Sequence, residues 1–176
     1  MSAQSPSIAN RALAFSEGRR WLYLAIVLAV GISCYADRAV LSVVLQPLKQ
    51  EFQLSDTALG LLTGPPFALC YALASIPLGR LADATNRKVV LACALAVWTL
   101  MTGLCGFATS LTMLILCRMG VGASEGSAVP SGHALLADYF TPERRTVAFA
   151  VFAAAPALGA ALANGLGGWL ADHHGW

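Results

Sequence analysis

Asp37, Arg38, Arg118 and Glu125 are four formally charged residues set inside long apolar stretches of this 176-residue chain. At membrane depth a single charge costs from about 3 kcal/mol upward. Such groups therefore pair with one another, face a protein or water-filled interior, and mark a path for ions or solute. Two acids and two bases can also trade partners. A carboxylate out of water keeps its charge only while a cation stands beside it, so an exchange of partners ties proton binding to conformation. The chemistry this points to is a proton- or ion-coupled switch. The plainer alternative is a static buried salt bridge that fixes helix packing.

Something must hold these charges at depth, and composition says what. Apolar residues make up 57% of the chain and charged residues 11%, against roughly 25% charged in a soluble domain. Five stretches approach the ~20 apolar residues that cross the hydrocarbon core. They are expected at about 21–45, 57–79, 89–108, 111–137 and 147–171. Ser55 and Asp56 stand where N-cap residues introduce the second stretch, and Pro47 is expected to close the first. Residues 1–18 read as a flexible polar tail. The fold class is an all-α membrane protein.

Lys and Arg set the orientation. Arg11, Arg19 and Arg20 precede the first span; Arg80, Arg87 and Lys88 follow the second; Arg144 and Arg145 follow the fourth. Against these eight, the other side offers Lys49. The N-terminus is therefore expected in the cytoplasm of a multi-pass protein in a bacterial inner or plasma membrane. With a rise of about 1.5 Å per residue, Asp37 lies about 12 Å and Arg118 about 10 Å from the outer side, so the two are predicted to meet. Glu125 is two turns past Arg118 on the same face, nearer the cytoplasm, and Arg38 could reach toward it or toward solvent.

Pro65, Pro66, Pro77, Pro130 and Pro156 fall within or near spans, where they free carbonyls and permit kinks. Small residues recur four apart at Gly122 and Gly126, and at Ala155, Gly159, Ala163 and Gly167, a spacing that lets helix backbones approach closely. Both features suit a packed bundle of irregular helices.

Several chemistries are argued against. The five cysteines are scattered singly, with no CxxC and no Cys/His cluster, so neither a metal site nor a disulfide framework is expected. No nucleotide-binding loop or other cofactor motif is present, and the net charge of +2 gives no reason to expect nucleic acid. Residues 122–126 match G-x-S-x-G, but that elbow needs a strand before it, and here it lies mid-helix in an apolar run. A rhomboid-type protease would need Gly after Ser124, where Glu125 stands, and a histidine on a later helix. His133, eight residues past Glu125, reads as a packed or wetted side chain rather than a member of the charge set.

The loop after the second span, Gly79-Arg80-Leu81-Ala82-Asp83-Ala84-Thr85-Asn86-Arg87-Lys88, resembles the G-x-L-(A/G)-D-(R/K)-x-G-R-(R/K) signature of the major facilitator superfamily. Within it Gly79 is expected to allow close helix contact, Asp83 to cap a helix, and Arg87 and Lys88 to anchor the loop; Leu81 completes the pattern. Ala84 and Asn86 depart from it, though Asn tolerates a left-handed turn. Asp37-Arg38, Leu54-Ser55-Asp56, Arg118-x-x-x-Gly122-x-x-Glu125, Asp138-Tyr139-Phe140, Pro142-Glu143-Arg144-Arg145 and the segment from Gly167 to Asp172 look like the spinster-type branch.

That resemblance implies a proton-coupled secondary carrier for a small organic or lipid-like solute, with Asp37, Arg38, Arg118 and Glu125 as its charge network and no enzymatic activity. It also implies two six-helix halves. This chain shows five spans of the N-terminal half and stops at Trp176, where a sixth helix is expected, so it would need the C-terminal helices or a second chain. The alternative is a non-transporting scaffold that binds a partner through its small-residue faces.

Overall fold

The computed structural model describes residues 16–175; residues 1–15 of the expected tail, with Arg11, and Trp176 lie outside the described residues. Those described form helices: α1 Glu17–Glu51, α2 Asp56–Thr63, α3 Pro65–Ala84, α4 Arg87–Cys105, α5 Leu111–Glu125, α6 Ala128–Tyr139, α7 Pro142–Phe152 and α8 Ala155–Leu162. A π-helical segment, Ala163–Gly167, joins α8 to α9, Gly168–His174. Four stretches are long and apolar enough to cross a membrane: 17–51, 56–84, 87–105 and 142–174. The fourth expected span is instead divided into α5 and α6, of 15 and 12 residues.

Proline explains most of the breaks. A proline cannot donate to the carbonyl four residues back, and its ring presses on that carbonyl. Pro130 so frees Gly126, where α5 ends, and Pro156 frees Phe152, where α7 ends. Gly126 and Ser127 keep right-handed backbone, so α6 continues α5 through a kink rather than reversing. Gly64, ahead of Pro65 and Pro66, separates α2 from α3. Pro77 interrupts nothing, and α1 runs through Pro47 to Glu51 instead of closing near residue 45.

Caps form where short polar side chains precede a helix. Ser55 Oγ accepts from the Ala58 N–H at 3.2 Å, and Ser110 Oγ from that of Met113 at 3.3 Å. At α4 the capping oxygen is Asn86 Oδ1, which accepts from the Lys88 N–H at 3.0 Å. Asp83 therefore does not cap this helix. Nor is Asn86 left-handed: its φ of −93° and ψ of 107° are extended, as an N-cap requires.

α5 is the pillar of the bundle, packed against both α3 and α4, while α8 lies along α1. Glycine permits both approaches. A Cβ at Gly126 would stand 2.9 Å from the Tyr71 carbonyl oxygen and 3.0 Å from the Ser75 nitrogen. At Gly159 it would meet the Ile32 carbonyl oxygen and the Ala36 nitrogen at 2.8 Å. Gly79 behaves differently, since a Cβ there touches nothing among the described residues. The close contact expected of it is not made among the described residues.

Two apolar clusters fill the interior. One gathers Leu24, Val27, Trp98, Leu136, Phe140 and Phe152; the other joins Leu41, Leu48, Leu62 and Leu114. Asp37 and Arg38 lie between them along α1.

Gly126→Leu is expected to lower stability by about 1–3 kcal/mol or more through overpacking against backbone that cannot yield, whereas Gly79→Ala leaves it unchanged. Thermal unfolding of the detergent-purified chain compares the two directly.

Candidate functional site

The four intramembrane charges form two crossed pairs between α1 and α5. Arg118 Nη1 donates to Asp37 Oδ2 at 3.2 Å, and Arg38 Nε donates to Glu125 Oε2 at 2.8 Å. The first pairing matches the depth argument from sequence, and of the two directions open to Arg38, Glu125 or solvent, its Nε takes Glu125. Asp37 and Arg38 stand only about 1.5 Å apart along α1, so their side chains diverge to reach partners two turns apart on α5.

Burial is deep. The side chains of Arg118 and Asp37 are 8% and 9% exposed, and Glu125 is fully buried. A third contact completes Asp37: the Thr102 hydroxyl of α4 donates to its Oδ1 at 2.8 Å. Arg38, partly exposed, lies among three rings, with its guanidinium carbon 4.7 Å from the Tyr71 centroid, 5.3 Å from Phe67 and 5.6 Å from Tyr35. Arg118 also approaches Phe67, at 5.0 Å. These π faces help replace the water each guanidinium has lost.

Hydrogen bonding in the set is incomplete. Arg38 Nη2, Arg118 Nε and Glu125 Oε1 are buried without a hydrogen-bond partner. Each such group costs free energy, and together they leave capacity for other partners. Asp37, Thr102 and Arg118 also line a cavity of about 250 Å³ whose other walls include Leu41, Leu62 and Leu114.

A second cluster sits at the end of the bundle where α3, α4 and α6 meet. Arg87 donates to Asp83 Oδ1 at 2.8 Å and to Asp138 Oδ2 at 2.6 Å, tying three helices. Lys88 stands 4.8 Å and 5.2 Å from the Tyr23 and Tyr139 centroids, whose rings are stacked 4.1 Å apart. Arg145 donates to the Ala137 carbonyl at 2.8 Å, closing the end of α6. Of the expected loop residues, Asp83, Arg87 and Lys88 thus belong to one cluster, while Leu81 and Gly79 face outward.

Two residues stand outside the site. His133 packs edge-on to Phe149 and Phe152, with Nδ1 3.0 Å from the Val129 carbonyl oxygen. Ser124 donates to the Gly120 carbonyl at 2.8 Å within its own helix. Sequence reasoning missed Thr102 and the rings about Arg38. The signal for Thr102 was a hydroxyl-bearing residue within an apolar span.

Residues 18–176 match the family model of the Major Facilitator Superfamily. An MFS-type efflux pump of Mycolicibacterium smegmatis is 37% identical over 158 residues, covering 90% of this chain and 37% of that protein. The sphingosine-1-phosphate transporter SPNS2 of Danio rerio is 33% identical over 145 residues, covering 80% and 28%. The crystal structure of a bacterial homolog to the human lysosomal transporter Spinster, inward-facing and unoccupied, superposes with a TM-score of 0.87 at 37% identity, covering 90% of this chain and 33% of that one. This chain spans about a third of the length of the proteins it matches.

Breaking one buried pair leaves a charge stranded, at a cost of about 3–5 kcal/mol. Arg118→Met should therefore destabilise strongly, and Asp37→Leu with Arg118→Met should recover most of the loss. Unfolding temperatures of the single and double variants measure the coupling; a double variant no better than Arg118→Met would show that the two side chains do not act as a pair.

Proposed function

The chain belongs to the major facilitator superfamily, in its spinster-like branch, and on that premise we propose that it forms the N-terminal helices of a proton-coupled secondary carrier for a small organic or lipid-like solute. The observation carrying this reading is the crossed pair of buried ion pairs with unfilled hydrogen-bonding capacity. A purely structural salt bridge gains from completing every bond. A switch needs alternatives, and Glu125 Oε1, Arg118 Nε and Arg38 Nη2 supply them.

In this reading Asp37 and Glu125 are the protonatable groups. Neutralising either one releases its arginine, which then seeks the other carboxylate or an anionic part of the solute. Helices α1 and α5, which carry the pairs, shift against each other as partners change. Gly126 and Gly159, packed directly on neighbouring backbone, leave the helices able to move as units rather than deform. The remaining carrier helices complete the route. The groove among α1, α4, the end of α8 and the π-helical segment, lined by Trp98, Leu162 and Leu166 with Asp37 and Thr102 in its wall, suits a further helix of the same carrier.

We place the N-terminus in the cytoplasm of a bacterial inner or plasma membrane. The basic ties support this: Arg144 pairs with Glu17 and Arg87 with Asp138 at one end, whereas Lys49 pairs with Asp56 at the other. A lone cysteine introduced by Arg80→Cys in a cysteine-free carrier should react with an impermeant thiol reagent only after the cells are opened. Reaction on intact cells would reverse the orientation.

Glu125→Gln and Asp37→Asn, whose amide oxygen can still accept from the paired arginine, are each expected to abolish proton-driven uptake in the intact carrier while costing less stability than Arg118→Met. Uptake at the wild-type rate by either variant would remove that residue from the coupling mechanism.

A further inference from the structure

Asp37 has two partners of different kinds, and the difference matters when a proton arrives. Arg118, reaching Oδ2, carries donors alone; the Thr102 hydroxyl, at Oδ1, can donate or accept. Other charged or titratable groups act on Asp37 from nearby. Glu125 bears on it from α5, Cys105 from α4, and Cys34 from its own helix, beside the neighbouring Arg38. The π-helical segment and α9 add apolar Gly167 and Leu170 to the cavity that Asp37 lines.

We propose that Thr102 is the positioning residue for proton binding at Asp37, directing the proton to Oδ1 and holding the neutral acid in place while Arg118 is released. The inference rests on the proton-coupled reading above and adds the atom and the latch. In the ionised state Thr102 donates to Oδ1 and Arg118 to Oδ2. A proton on Oδ2 would point at an N–H that cannot accept it. A proton on Oδ1 finds the Thr102 oxygen. An O–H bond forms at Oδ1 as a hydronium ion gives up a proton and leaves as water, no covalent bond within the protein breaks, and the threonine hydroxyl turns from donor to acceptor. The Asp37–Arg118 pair passes from net zero to net +1, so attraction across α1 and α5 falls while the α1–α4 link persists. The arginine is freed and the acid stays where it was.

The test is an infrared difference spectrum between neutral and acid pH, recorded on the purified full-length carrier in lipid nanodiscs. Wild-type protein should show a carboxylic C=O band that Asp37→Asn removes. In Thr102→Val, which keeps the shape and deletes the hydroxyl, that band should move to higher frequency; Thr102→Ser should leave it at the wild-type position. Thr102→Ala, which adds no atom, provides the same reading should the valine variant fold poorly. A band unmoved by loss of the hydroxyl, or moved as far by serine as by valine, overturns the role of Thr102. A band that Glu125→Gln removes but Asp37→Asn does not overturns proton binding at Asp37 and with it the role of Thr102, and a spectrum with no band that either variant removes overturns the proton-coupled reading itself, so the failures are distinguishable.

Discussion

Charge in a medium without water is the constraint on which this bundle turns. Four ionised side chains lie at a depth where each alone would be prohibitive, and the answer is to cross-pair them between two helices. That single requirement fixes much else. α1 and α5 must lie close enough for 2.8 Å and 3.2 Å contacts and in a register that matches two acids to two bases. α3 must come near enough for Phe67 and Tyr71 to cover the guanidinium of Arg38, which is why α5 has glycine where it crosses that helix. α4 must present a hydroxyl at the height of Asp37. The two apolar clusters then occupy what remains above and below.

The ion pairs nearer the surface are of another order. Lys49 with Asp56 and Arg144 with Glu17 lie between exposed side chains, where water screens the attraction and such pairs contribute little, typically up to about 1 kcal/mol. Arg87 is better placed, because one guanidinium serves two carboxylates from different helices and so ties the end of α6 to the α3–α4 turn. Lys88 achieves a similar end without a carboxylate, resting against a stacked tyrosine pair. The molecule therefore has a buried charge layer between α1 and α5 and a clasp at one end that ties α3, α4 and α6.

Much of this was legible in the sequence because the signals were strong and local. Charge inside a long apolar run can mean little else than a buried pair, and a rise per residue was enough to match Asp37 to Arg118. The small-residue spacing told truly of close helix approach on α5 and α8. What escaped depends on relations across space. Thr102 looks like any threonine in an apolar helix until Asp37 is placed beside it. Pro130 and Pro156 broke their helices while Pro47 and Pro77 did not, and a proline alone does not announce whether neighbours will accommodate it. From sequence Asp83 is expected to cap a helix and Asn86 to accommodate a left-handed turn; an extended Asn86 caps α4 instead, and Asp83 meets Arg87 one turn on.

The π-helical segment at Ala163–Gly167 has a meaning in terms of phase. Small residues on this span repeat every four positions, at 155, 159, 163 and 167, yet an α-helix closes its turn in about 3.6 residues. A strict four-residue repeat therefore winds around such a helix by about 40° per step and would soon leave the partner it began against. Here the stripe does not wander: a Cβ at Gly159 would strike α1 beside Ile32 and Ala36, and one at Gly167 would strike it at Val40. A wider turn rotates the chain less per residue, so the segment winds the stripe back toward α1. The irregularity is a phase correction, one that reconciles a periodic surface with a helix of a different period.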